Sequence, residues 1–258
     1  RLWLMSNTNG NSYIGLLPDT DYRLEVSKGN TPGNTPIYKF GYNADVNGTE
    51  EAIWQNGGAY AFPSDVAVLR VASTSTDDAS AGTGARTITI EGLDTNYNEV
   101  SVDLTMNGSS AVDTTQTFRR VNRVFVKTVG TTGSNVGTIN IIHQGSGTPT
   151  VASINPLMAQ TQQAVYTVPA SKTLYVDDIN FTAAMSIANK RAEVRVVVTD
   201  FGGAARTRYI NVLQSSQLIT KFEYPLSISE KSDIVLNGVT DGTNNEIAGS
   251  FQGVLVDN

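Results

Sequence analysis

His143 is the only histidine of the chain, and cysteine is absent. Those two counts narrow the available chemistry at once. Without cysteine there can be no disulfides, thiolate zinc sites, iron–sulfur clusters or thiol nucleophiles. One imidazole cannot build a histidine-rich metal site within a chain, and a Ser-His-Asp device would need His143 as its base. His143 ends an apolar run, after Ile141 and Ile142 and before Gln144-Gly145. Nothing in the sequence sets a nucleophile or an orienting carboxylate beside it, so a surface or sheet-edge place is expected rather than a catalytic one.

Carboxylates are the other catalytic option. Glu50-Glu51, Asp77-Asp78 and Asp177-Asp178 are adjacent pairs. Strand neighbours point to opposite faces, so Asp177 and Asp178 are not expected to cooperate. A glycoside hydrolase would instead draw its two acids from separated segments. Asp77-Asp78 lies in the loop Ser73 to Gly84, which lacks the alternating aspartate spacing of a calcium loop. A hydrogen-bonded surface loop is the better reading. Gly82-Thr83-Gly84-Ala85-Arg86 resembles the start of a phosphate loop, but a strand pattern follows where a helix N-terminus is required. These readings assign no catalytic residue, cofactor or metal ligand.

Binding groups are more conspicuous. Arg119-Arg120-Val121-Asn122-Arg123 is the one basic cluster, able to clamp phosphates or a carboxylate-rich partner. The net charge of −6 and pI near 4.8 argue against a general nucleic-acid binder. An exposed strand edge or ion pairs between subunits is therefore the favoured role of the cluster. Trp3, Trp54 and Tyr60 would stack on sugar rings if exposed, though such aromatics more often fill a core or an interface. Arg119, Arg120, Arg123, Trp3 and Trp54 are the candidate interface residues.

The elements that would position them are strands. More than a third of the 258 residues are Thr, Asn, Ser or Gly, a mixture poor in helix formers and rich in strand and turn residues. No stretch approaches the roughly 18 consecutive apolar residues of a membrane helix, so a soluble chain is expected. Arg1 stands where an initiator Met would, which suggests a fragment, a processed product or the ordered part of something longer. Residues 1–36 are turn-rich around two apolar pieces, Tyr13 to Leu17 and Tyr22 to Val26. They read as an extended arm or an N-terminal strand pair.

Period-two alternation then begins. Val66 to Val71, Arg86 to Glu91, Glu99 to Met106, Arg123 to Thr128 and Gly137 to His143 read as strands, with turns at Asp94-Thr95-Asn96 and Asn107-Gly108. In the third, Val100, Val102, Leu104 and Met106 share one face. Gly145 to Pro149 breaks the pattern and marks a domain boundary. Beyond it Ala164 to Val168, Leu174 to Thr182, Ala192 to Thr199, Thr207 to Leu213, Ile234 to Val239 and Ile247 to Val256 repeat the style. Ala183 to Lys190 suits a short helix or a loop. The expected fold is all-β: two jelly-roll-like antiparallel β-sandwich domains, residues 37–147 and 148–258, after the N-terminal segment 1–36.

Lys39 to Val46, Ala52 to Tyr60, Asp77 to Arg86 and Gly92 to Glu99 resemble a family of virion structural proteins of tailed bacteriophages, of the marine and cyanobacterial phage type. Tyr166 to Leu174, Ile228 to Ile234 and Phe251 to Asn258 extend the resemblance over roughly residues 29–258. The resemblance defines no catalytic site and implies a structural role on the particle. The expected function is a non-enzymatic capsid decoration protein, a homotrimer on the outer surface of the head, bound to the major capsid protein or other virion proteins. No nucleic-acid or membrane partner is expected. The alternatives are a tail, fibre or appendage component that binds host glycan and, behind it, a secreted polysaccharide hydrolase.

Overall fold

The computed structural model describes residues 2–6, 12–16 and 21–258, with side chains from Asp21 onward. Strands β1 (Leu2–Ser6) and β2 (Ser12–Leu16) pair antiparallel. The turn beginning at Asn7 and the Trp3 side chain lie outside the described residues. Tyr22 to Val26 coils into a helix, α1 (Tyr22–Ser27), so the first 36 residues are not extended throughout. Asp21 starts that helix by accepting the Arg23 N–H at 3.0 Å, the bond an N-cap supplies to an orphan donor.

The chain continues through β3 (Asn34–Val46), β4 (Glu51–Ala52), β5 (Ala67–Ser73), β6 (Ala85–Leu93), β7 (Glu99–Thr105), β8 (Val112–Phe118) and β9 (Arg120–Val129). Next come β10 (Ile139–His143), β11 (Thr150–Ile154), β12 (Val165–Thr167), β13 (Lys172–Ala184) and β14 (Ala192–Thr199). The last four are β15 (Ala205–Leu213), β16 (Gln217–Ile228), β17 (Asp233–Thr240) and β18 (Asn245–Asp257). The residues between β13 and β14 form a loop, not a helix. Among the described residues no helix is long and apolar enough to cross a membrane.

Two antiparallel sandwiches result. In the first, the sheet β11-β10-β5-β8 packs on β7-β6-β9. Leu69, Ile139, Ile141 and Phe118 from one sheet meet Ile88, Ile90 and Val124 from the other. Strand β7 behaves as its alternation demands: Val100, Val102 and Leu104 pack on this core while Ser101, Asp103 and Thr105 face water. Asp94 to Asn98 makes the β6–β7 hairpin turn, with Asp94 accepting the Asn96 and Asn98 N–H groups and Tyr97 at φ +65°. Asn107-Gly108 does not close a hairpin, because the strands on either side of it belong to different sheets.

In the second sandwich, β12-β17-β14-β15, with β4 added to β17, packs on β16-β13-β18-β3. Phe181, Phe251, Ile179 and Leu174 face Val194, Val196 and Leu236 across its core. The strand pairing departs from the expected division at residue 147. Strand β3 pairs along β18 and β4 along β17, so residues 34–52 join the second sandwich, while β11 returns to the first by pairing with β10. The first sandwich is therefore an insertion between β4 and β12 of the second.

Gly41 marks where that early strand meets the rest. A methyl group there would lie 2.0 Å from the Ile53 carbonyl oxygen and 2.5 Å from the Ala164 nitrogen. Backbone cannot yield as a flexible side chain does, so Gly41→Ala should destabilise the fold by about 3 kcal/mol or more. Urea unfolding measures this, and an unchanged midpoint would show that β3 is not held this closely.

Candidate functional site

A connected set of buried polar groups lies where the two sandwiches touch. The linker after β11 runs antiparallel along β9: Val126 N–H donates to Ala159 O at 2.7 Å and Thr161 N–H to Val124 O at 2.9 Å. Alternation along the start of β9 sends Val121 to the first core and turns Arg120 and Asn122 toward the second sandwich. Arg120 Nε and Nη2 donate to the two oxygens of Asp233, at 2.9 and 3.0 Å, with both side chains about 10% exposed. Thr167 Oγ1 donates to the same carboxylate at 2.5 Å, and Arg120 Nη1 to Pro63 O, also at 2.5 Å. Asn122 and the Thr167 backbone exchange two bonds, 3.0 and 2.9 Å long. The Lys39 ammonium, on β3, donates to the Asn122 carbonyl oxygen.

Electrostatics follow from this burial. Loss of water pulls the Arg120 pKa down, but the hydrogen bonds and charge of Asp233 more than reverse it, leaving the guanidinium above its ordinary value. Among the described residues no carboxylate forms an ion pair with Lys39. Its burial, aided by the Arg123 charge, draws the ammonium down to about 7, with Glu91 opposing. This arrangement fastens the two sandwiches to one another through charged and amide groups.

The arginine cluster is thus spent largely inside the subunit, contrary to the expected exposed edge. Arg120 is the seam's anchor, and Arg119 lies over the Tyr97 ring at 5.4 Å and donates to Ser64 O at 3.3 Å. Arg123 remains exposed, stacked on Phe125 at 4.7 Å and donating to Gln160 at 3.0 Å. Trp54 is 3% exposed and meets the Tyr60 ring edge-on at 5.0 Å. Tyr60 in turn donates to Val151 O at 2.8 Å, and burial pushes its phenol pKa up. Trp54 therefore presents no face to a sugar or a partner, and Tyr60 is half-buried between the Trp54 and Phe62 rings.

His143 is also buried, at 1% exposure, instead of lying on the surface. Its Nδ1 accepts the Gly145 N–H at 3.2 Å, which leaves Nε2 to donate to Phe118 O at 3.0 Å. Asp78 is fully buried as well. It accepts four bonds, from Ser73 Oγ at 2.6 Å and from the N–H groups of Ala85, Val136 and Gly137 at 2.8 Å each. A carboxylate ringed by donors pins a loop and turns positive hydrogen ends toward the place a cation would take. Gly84 allows the approach, since a methyl there would sit 2.2 Å from Asp78 Oδ1. The Gly82 to Arg86 stretch leads directly into β6, so no helix N-terminus is present to bind phosphate.

Asp177 and Asp178 give a further correction. A β-bulge between Val176 and Asp178 breaks the alternation, and both carboxylates turn to the Arg23 guanidinium of α1, at 3.5 and 3.9 Å. Sequence reasoning also missed Asp233, Thr167 and Lys39. Charged or hydroxyl residues at inward positions of otherwise apolar strands were the available signal.

No protein-family model matches this chain, and none of the curated proteins does. Among solved structures it is similar to the infectious bursal disease virus Gx strain structure, at 11% identity and TM-score 0.25, covering 87% of this chain and 72% of that one. The infectious bursal disease virus VP2 subviral particle gives 11% identity and TM-score 0.23, over 87% and 73%. At such scores these likenesses carry no argument about this chain.

Two expectations test the seam. Asp233→Ala leaves a buried guanidinium without its counter-charge and should cost about 3–5 kcal/mol, while Arg120→Met with Asp233→Leu should recover most of that. Denaturant unfolding of the single and double variants decides it. For Lys39, the unfolded chain keeps its proton up to about 10.5 and the folded chain releases it near 7. More protons are then bound unfolded than folded, so stability should rise with pH between about 7 and 10.5, and Lys39→Met should flatten that rise. Parallel slopes for the two proteins across that window would refute the assignment.

Proposed function

We propose that the chain is a non-enzymatic structural protein of a tailed bacteriophage particle, a decoration protein that binds the outer head surface as a homotrimer. The observation that carries this reading is the bonded seam. It joins two sandwiches into one two-lobed body, so that one lobe can rest on a shell of major capsid protein while the other projects. The sequence resemblance supplies the particle type. The absence of cysteine suits assembly in a reducing cytoplasm.

The disposition of the reactive groups supports a non-enzymatic role. His143 is bonded to Phe118 O and to the Gly145 N–H, Asp78 accepts from the protein's own donors, and Asp177 and Asp178 face Arg23. Self-association is supported by exposed apolar side chains at the open side of the second sandwich, where Ile210 and Val212 on β15 and Ile219 and Tyr224 on β16 are 52 to 83% exposed. Ile210 and Val212 lie on the outward face of one sheet and Ile219 on the outward face of the other, so they offer two separate surfaces to neighbouring copies. Lys221 and Pro225 on β16 guard its bare edge against strand addition, so the contact expected there is between side chains.

Gold-labelled antibody microscopy of purified particles should show label spread over heads, and light scattering of the free protein should give three times 27.6 kDa. Label confined to the tail or to one vertex would instead make the chain an appendage or connector, and a monomeric mass would remove the trimer.

A further inference from the structure

The outer face of the β16-β13-β18-β3 sheet carries a second, unassigned arrangement. Alternation along β3 buries Lys39, Gly41 and Asn43 and turns Tyr38, Phe40 and Tyr42 outward in one row. Tyr38 is 63% exposed, and its ring lies 5.9 Å from that of Phe40 at an inclination of 32°, so the two make a nearly continuous shelf. Strand register sets the remaining surface beside this shelf. Phe40 faces Ser250 on β18, which faces Asn180 on β13. Tyr42 likewise leads to Ala248 and then Thr182. Small side chains on β18 thus form a floor between an aromatic wall and a wall of amide and hydroxyl groups. The groove they enclose has a volume of about 350 Å³, at the small end of ligand-sized sites.

We infer that this groove binds a neutral glycan. A sugar ring offers an apolar face of C–H groups and a rim of hydroxyls, and the groove offers matching partners. The Tyr38 and Phe40 faces take the first, and Asn180, Thr182 and Ser250 take the second. Among the described residues no hydrogen bond occupies the Thr182 and Ser250 hydroxyls or the Asn180 amide nitrogen, whose carbonyl oxygen lies 3.5 Å from Gln217 Nε2. These groups are free to exchange water for ligand hydroxyls, and amide and hydroxyl groups serve as both donor and acceptor. The charge pattern selects a neutral ligand. The Phe40 and Tyr42 rows carry no carboxylate, ammonium or guanidinium, and the carboxylates at the groove's two ends are already engaged, Glu246 by the Tyr42 hydroxyl and Asp178 by Gln252 at 2.5 Å and by Arg23. A phosphate or uronate would find cations only at the end of the Tyr38 row, where Arg23 and Lys221 stand beside the Asp178 carboxylate. Of the aromatics flagged by sequence, Trp54 is buried and Tyr60 half-buried with its hydroxyl bonded to Val151 O, so the platform is Tyr38, Phe40 and Tyr42 instead. This assignment does not depend on which part of a particle bears the chain.

Native affinity electrophoresis of the full chain through gels containing dextran, galactomannan, β-1,3-glucan or xyloglucan tests it, with alginate as the anionic control. At least one neutral polymer should retard the protein and alginate should not. Tyr38→Ala and Asn180→Ala, both outside the core, should each weaken the retardation by about tenfold, with unfolding temperatures unchanged. Retardation by none of the neutral polymers, retardation by alginate alone, or equal retardation of wild type and both variants would overturn the proposal. So would light scattering in which Tyr38→Ala dissociates an oligomer without altering retardation, since that makes the face a contact between copies.

Discussion

Burying the Arg120 guanidinium against Asp233 constrains everything around it. Two charges taken out of water cost several kcal/mol each unless their geometry is close to ideal and their remaining hydrogen-bonding capacity is filled. Here the guanidinium binds both carboxylate oxygens and reaches Pro63 O, while Thr167 supplies a further donor to Asp233. Each of those partners sits on a different segment. The loop before β5, the start of β9, strand β12 and the start of β17 must therefore all be in place before the pair is tolerated. Arginine suits this position because its planar fork matches a carboxylate, which a lysine point charge does not.

The chain path gives the seam its importance. Strands β3 and β4 enter the second sandwich, the chain leaves to build the whole first sandwich, and it returns at β12 to complete the second. The partners β3 and β18 lie at opposite ends of the described sequence, so most of the stabilising contacts are non-local. Closing such loops costs entropy before the contacts reward it. Lys39 on β3, bonded to Asn122 on β9, ties the earliest strand of the outer sandwich to the inserted one. An inserted domain with two crossings and a bonded seam resists hinging.

The polar residues of this chain divide into two populations. Asp78, His143, Asp233 and Asn122 are buried and saturated, and they act as internal fasteners. The Asn180 amide nitrogen and the Thr182 and Ser250 hydroxyls stand on an outward sheet face beside the Tyr38 and Phe40 rings, with no hydrogen-bond partner among the described residues. The physical difference is desolvation. A buried polar group must find protein partners or destabilise the fold, whereas a group on an open face keeps water that a ligand can replace.

Much of the strand content was legible because half-buried strands write their burial into alternation. Val100-Ser101-Val102-Asp103-Leu104 is the clearest case, and β5, β6, β13, β14, β17 and β18 follow it. Strand β16 escaped because its edge position leaves inward Leu218 and Phe222 only partly buried, and its polar and apolar residues mix. The domain division at residue 147 was not legible, since pairing of β3 with β18 joins distant segments and no local pattern records it. The candidate site fared likewise. Sequence singled out the arginine cluster by its charge density, but whether Arg120 faced water or Asp233 depended on a residue 113 positions away. Asp177 and Asp178 were read by strand periodicity, and a bulge, which insertion of one residue creates, reversed the reading. Alternation, turns and excluded chemistries belong to the sequence itself because they depend on neighbours along the chain. Burial, ion pairing and the aromatic shelf were decided by tertiary structure, because each depends on which distant strand comes to lie alongside.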